Sequence, residues 1–561
     1  MLLCNLFIPW AVAQTPKWVS KARKAVFSIV TYDGENQLKG NGNGFYIDNE
    51  GTALSDYTLF DGAQRAVIIT TDGKQQDIQL ISGTDAMYDV IKFKTAVGKK
   101  QMSLPIAALP AKEGDLVYLL PYATQKSDES PVAKVLKVDS IGNKSVYYTL
   151  DIKTNEKMVS CPIMNANGEV LGMIQKSASD EEKESYALGV SYGVALSINP
   201  LSMNDASLQR IGIKKALPDT QDQALIYILM ASSKMNTEEY GVILNDFVVQ
   251  FPESSEGFMR RSSFYMSSGK KENFELADKD MEQALSVSKQ KDETLFSISK
   301  TLYNYALGAL NNQEANPAWN MEAALGKIQE AVKINPLPQY TQLEGDIYFA
   351  MKNYAEAYKC YDAVNRSEIA TAATYYSAAK AKDLCEDSKP EEVIALLDSA
   401  LNFYVKPYTK EAGPYFYERA NVKARAKMYR EAVIDYNQFY DIFNGNVTAQ
   451  FLFERQQSEI QCKMYQQALN DINKAAELEP ENASIWVEKG SVHLRINQLE
   501  EAEKALMKGV ELNDKDAGAY RMLGYCQAEM KKKKEALENL NKAKELGDEV
   551  APKLLKKYFN K

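Results

Sequence analysis

The chain has 561 residues, 45% of them apolar and 25% charged, with a net charge of -9. That length exceeds what a single hydrophobic core organises, so two or more domains are required, and the composition excludes a disordered or fibrous protein. Residues 1–216 balance acid against base and the acidic excess lies in 217–561; neither part carries the basic stripe that a phosphate backbone demands, which sets nucleic acid aside.

In chain order, the opening MLLCNLFIPWAVA is an apolar run ending in Ala11-Val12-Ala13, a small-x-small pattern followed by Gln14. It predicts a signal peptide over 1–13 and an exported protein of the periplasm, cell envelope or extracellular space. Lipidation at Cys4 fits poorly, because Leu3 is large for the preceding position. No later run approaches the ~20 apolar residues of a membrane span, so no integral span is expected. Five further cysteines, Cys161, Cys360, Cys385, Cys462 and Cys526, show no paired ligand spacing, so neither a metal nor another cofactor is expected.

From Ala25 short β-branched and aromatic runs alternate with turns: AVFSIVTY, GNGFYID, RAVIITTDG, DVIKFKT, DLVYLLPY, SVYYTLD and EVLGMIQ. Short strands at this spacing, punctuated by Gly, Asn and Asp, predict an all-β barrel or sandwich over 14–205. A connecting stretch with two prolines follows and is expected to be a linker over 206–220.

Three segments of this β region, GNGFYIDNEGTALSDYTLFDGA, GTDAMYDVIKFKT and MVSCPIMNANGEVLGMI, resemble in order and spacing the catalytic segments of trypsin-like serine proteases of the HtrA kind. The resemblance rests on Gly44, Phe45, Asp48, Gly51 and Leu54, then Asp89, then Pro162, Asn165, Gly168, Glu169, Val170 and Gly172. It implies a trypsin-like double barrel. It also places the family's histidine slot on Thr58, its aspartate on Asp89 and its serine slot on Val159, or on Ser160 in a register shifted by one. Serine acyl transfer needs a hydroxyl, an imidazole and an orienting carboxylate, and of these only the carboxylate is in place. The chain's one histidine is His493, far along the sequence. The two glycines that the family carries before the proline are Ser160 and Cys161, which narrows the backbone angles open to an oxyanion loop. A Ser160–Lys157 pair or a Cys161 nucleophile lacks a visible partner. The β domain is therefore expected to be catalytically degenerate.

Beyond 220 helical periodicity takes over. Tyr465, Ala468, Ile472, Ala475 and Pro480 recur 34 residues on as Leu499, Ala502, Leu506 and Gly509, and again as Lys533, Ala536, Leu540 and Ala543; Trp486 and Gly490 recur as Tyr520 and Gly524. A 34-residue period with small residues at the helix crossings is the tetratricopeptide (TPR) pattern. Weaker copies run upstream to Tyr240, giving about nine helix pairs over 221–548, with a capping helix over 549–561. The run Lys531 to Lys534 falls at a helix-to-helix turn. Arrays of this kind form a superhelix with a concave face lined by the first helix of each repeat. On that face the expected peptide-binding positions are Tyr417, Asn421, Arg425, Phe453, Gln457, Gln461, Arg495, Arg521 and Tyr525, because rings give contact area and amides and arginines satisfy a peptide backbone. His493 reads as a packing residue. The expected function is an exported, non-catalytic scaffold that binds protein partners through the array. The alternatives are an active serine endopeptidase whose substrates the repeats recruit, and a chaperone-like holder of peptides.

Overall fold

The computed structural model describes residues 16–97, 101–123, 130–142, 145–176, 183–309 and 315–559. The segment expected as a signal peptide lies outside them. Two compact units divide at Ser288 and Lys289.

The first unit opens with six strands, β1 (Val26–Tyr32), β2 (Leu38–Tyr46), β3 (Thr52–Ser55), β4 (Arg65–Ile69), β5 (Gln75–Asp85) and β6 (Val90–Thr95). They close antiparallel into a barrel in the order β1-β2-β3-β6-β5-β4. A second set, β7 (Leu116–Leu119), β8 (Val132–Ile141), β9 (Ser145–Leu150), β10 (Pro162–Met164), β11 (Val170–Ile174) and β12 (Ser185–Gly189), closes in the order β10-β11-β12-β9-β8-β7. Alternation sends Phe27, Ile29, Phe45, Ile68, Ile91 and Phe93 into the first barrel and Val117, Leu119, Tyr148, Leu150 and Ile163 into the second, all fully buried. Strands β3, β5, β8, β10 and β12 lie outside the runs the sequence marks. β3 and β10 are too short to show a period, and β5 and β8 alternate apolar with Gln, Asp or Lys, which lowers their apparent β character. Gly51, at φ 82°, makes the turn into β3, where a Cβ would lie 2.7 Å from the Thr95 carbonyl oxygen.

The expected linker is not a free tether. Residues 211–216 lie along β5, with Ile81 N–H donating to Lys214 O and Ala216 N–H to Ile81 O, both at 2.8 Å, while Gly212 N–H donates to Ala63 O at 2.7 Å. Leu208, Ile211, Ile213 and Leu217 are buried there. Apolar residues at 211, 213 and 217 give the stretch an inward face, and β5 offers backbone groups to pair with it. The first unit continues through helices Gln221–Ala231, Thr237–Gln250, Ser255–Ser267 and Phe274–Val287.

The second unit is a succession of helical hairpins: Lys291–Gly308 with Met321–Ile334, Pro338–Ala350 with Tyr354–Asn365, Ala372–Asp383 with Pro390–Leu401, Gly413–Arg425 with Tyr429–Ile442, Ala449–Gln461 with Tyr465–Leu478, Ala483–Arg495 with Leu499–Leu512, and Ala517–Glu529 with Lys533–Glu545. A final helix spans Ala551–Phe559. The recurrent small positions meet at the crossings. Ala468, Ala502 and Ala536 are fully buried, and a Cβ on Gly490 would lie 2.5 Å from Leu506. Replacing Ala468, Ala502 or Ala536 by phenylalanine is expected to overpack its crossing and cost about 1–3 kcal/mol, read as a lowered midpoint in urea.

Candidate functional site

Two places bring functional side chains together: the seam between the barrels and a cleft among the array helices. At the seam, β3 ends at Ser55 and Asp56 follows it directly at the barrel's rim, where it is 9% exposed. Its carboxylate accepts from Leu59 N–H (3.0 Å), from Ser55 Oγ (3.2 Å) and from the hydroxyl of Ser160. Burial pushes the Asp56 carboxyl above its usual range, with the Ser160 hydrogen bond opposing the shift. Asn43 on β2 reaches the same loop of the second barrel, its Nδ2 donating to Lys157 O (2.9 Å) and Val159 O (2.7 Å) and its Oδ1 accepting from Tyr122 N–H (2.9 Å).

Thr58 and Asp89 are adjacent, the Thr58 N–H donating to Asp89 Oδ1 at 2.7 Å. Asp89 itself sits at φ 46°. Ser160 is fully buried at φ 62°, a left-handed angle that favours glycine. The Ser160–Lys157 pairing weighed from the sequence is not made, since the Ser160 hydroxyl goes to Asp56 and Lys157 is exposed. Cys161 is fully buried and desolvation pushes its thiol up to about 12, which disfavours the thiolate that a nucleophile needs. His493 lies in the array, 6% exposed, with Nδ1 2.8 Å from Gln498 Oε1.

In the array, a cleft of about 580 Å³ brings together Asn421, Arg425, Gln457, Gln461 and Arg495 from three successive first helices. Tyr417 and Phe453 are instead packed against the buried core of their repeats. The Tyr417 ring lies 5.3 Å from that of Phe439, and its hydroxyl donates to Glu454 Oε2 at 2.5 Å. Arg521 pairs with Asp548 at 3.0 Å, and the Tyr525 ring stands 6.3 Å from Tyr558, so both face the final helix and the turn before it.

A tetratricopeptide repeat family model matches residues 460–524. Over 173 residues, 29% of this chain and 43% of the relative, the sequence is 27% identical to HhoA of Synechocystis sp., a protein assigned by name to the serine proteases. The chain thus spans less than half the length of that relative. The serine endoprotease from Yersinia pestis aligns with 34% of this chain and 65% of its own at 17% identity and a TM-score of 0.27. The chain is two closed six-stranded barrels followed by an array of helical hairpins that includes the matched tetratricopeptide segment.

Among the described residues of the double barrel and array, no helix is long and apolar enough to cross a membrane, and no cluster of three or more His, Cys, Asp or Glu is placed to hold a metal ion. Sequence reasoning missed Asp56 and Asn43 in the barrel, although an aspartate closing the apolar strand TALS was a signal. It also missed Glu454 and Glu488 in the cleft, which stand 34 residues apart and occupy the same place in consecutive repeats.

Proposed function

We propose that this protein is an exported scaffold of the cell envelope whose double barrel has lost peptide hydrolysis and whose array binds segments of protein partners. The observation that carries this reading is the absence of an imidazole from the barrel: the sequence holds one histidine, His493, and it belongs to a repeat. Without a base that exchanges a proton near neutral pH, a serine hydroxyl is a poor nucleophile. Two features support the same reading. The left-handed φ of Ser160 suits the glycine that follows the family's serine, which favours Val159 as the serine slot. In either register the Ser160 hydroxyl is buried and committed to Asp56. The kept glycines and apolar strands are those the barrels need in order to close.

The test is labelling with a fluorophosphonate probe together with casein hydrolysis. Neither is expected; labelling that vanishes on Ser160→Ala would overturn the reading. Thr58→His and Val159→Ser are each expected to stay inert alone, because triad members act as a unit. For the array, Arg495→Ala, at the exposed rim of the cleft, is expected to weaken partner capture by about 1–3 kcal/mol. Tyr417→Ala and Phe453→Ala remove packed rings and are expected to lower stability as well, a difference that melting curves will separate.

A further inference from the structure

Within the array cleft, two carboxylates line the wall with no ion-pair partner among the described residues. Among the described residues the donors to Glu454 are neutral, Tyr417 Oη at 2.5 Å and Gln450 Nε2 at 2.7 Å. Glu488 accepts from Gln456 Nε2 at 3.2 Å, and Gln456 is itself fully buried with its carbonyl oxygen unpartnered. Buried Gln456 thus fixes Glu488 at the cleft wall and leaves its charge unneutralised. At the rim, Arg425 is held by Asp383 at 2.7 Å, whereas Arg495 is exposed and has no ion-pair partner among the described residues. Between these charges the cleft presents amides from Gln457 and Gln461.

This arrangement is dipolar and directional. Arg495 follows Glu488 by seven residues on one helix, two turns on the same face and about 10 Å along the axis. An extended chain covers that distance in about three residues at roughly 3.3 Å each. Amides that can both donate and accept suit the backbone of such a segment.

We propose that this cleft is a recognition site for an extended peptide carrying a lysine or arginine, whose side chain lies between Glu454 and Glu488, and an aspartate or glutamate three residues away, whose carboxylate pairs with Arg495. The proposal rests on the reading of the array as a binder of protein segments and names the chemistry of what it binds. Glu454, Glu488 and Arg495 then each gain an ionic partner that the described residues do not supply, and a purely acidic or purely apolar segment leaves Glu454 and Glu488 desolvated and uncompensated.

The test passes a library of nine-residue peptides, randomised at every position, over the immobilised full-length protein. Expected is enrichment of Lys or Arg with Asp or Glu three positions away, in one of the two orders, and loss of retention on raising the salt from 0.05 to about 0.5 M. Glu454→Gln and Glu488→Gln, which keep the side chain's shape and remove its charge, should each weaken the selected peptide about tenfold. Together they should erase the preference for the cation. Arg495→Gln should erase the preference for the acid and leave that for the cation. Retention of peptides with no cationic preference, or a preference unmoved by the glutamine variants, overturns the proposal and leaves the array a binder of segments. Retention of no peptide overturns both. Displacement of the selected peptide by micromolar 1,5-diaminopentane would assign the site to a small free cation and overturn the peptide as its ligand.

Discussion

Replacing Arg455 by methionine is expected to destabilise the array by about 3–5 kcal/mol, because it strips one partner from a buried ion pair and leaves the other charge uncompensated. Arg455 is 7% exposed and grips Asp471 with both Nε and Nη2 at 2.7 Å, while Nη1 donates to Asn437 at 3.0 Å. Its guanidinium also lies 4.2 Å from the centre of the Tyr440 ring. The preceding repeat uses the same device, with Arg419 on Asp435 at 2.8 and 2.6 Å. The double variant Arg455→Met with Asp471→Leu should lose much less than Arg455→Met alone, since no buried charge is then orphaned. Urea denaturation of the single and double variants checks this; equal losses would mean that packing around the side chain, rather than the charge, carries the effect.

The same cluster gives the array a pH dependence. Glu459 is 3% exposed, and its carboxyl is pushed up to about 8 by burial and by the charge of Asp471, with Arg455 acting in the opposite direction. A carboxyl raised in the folded state holds its proton more tightly there than in the unfolded chain. Its contribution is therefore complete below the unfolded value near ~4.3 and is lost as pH rises through about 8. Melting of the wild type is expected to fall more between pH 6 and 9 than melting of Glu459→Gln. Parallel curves for the two proteins would remove Glu459 as the cause.

The second large effect concerns where the barrels end. A fragment comprising 16–205 is expected to remain unfolded, and one comprising 16–288 to fold with a cooperative transition. The shorter fragment loses Leu208, Ile211, Ile213 and Leu217, all buried. At about 1.5–3 kcal/mol each, their loss approaches the ~5–15 kcal/mol that holds an ordinary domain together. It also strips the backbone partners of Ala63 and Ile81, and the hydrogen bond from Tyr57 to Ser207 O at 3.2 Å. The longer fragment keeps these and adds Lys214 to Asp246 at 2.7 Å and Gln250 Nε2 to Pro218 O at 3.0 Å. Far-UV circular dichroism with limited proteolysis distinguishes the outcomes, and a 16–205 fragment that melts cooperatively within a few degrees of 16–288 would show that residues 206–217 are dispensable.

The sequence by itself determined what repeats along the chain. The alternation in AVFSIVTY and DVIKFKT specifies strands with one inward face, and the 34-residue return of Ala468, Ala502 and Ala536 specifies stacked hairpins with their crossings at those alanines. Such patterns are local: they say which face of an element is buried, whatever it is buried against. The tertiary structure alone decided the contacts between residues far apart. Asp56 meets Ser160 across 104 positions, residues 211–216 return to β5 from the far end of the barrels, and Glu454, Glu488 and Arg495 share one cleft because successive helices stack. Tyr417 shows why the two levels part. Its repeat position is that of a groove residue, yet bulky Phe439 and Phe451 in neighbouring helices draw its ring against the core. Periodicity fixes direction around a helix axis to within a turn, and the size of side chains on other elements settles whether what lies in that direction is solvent or another ring.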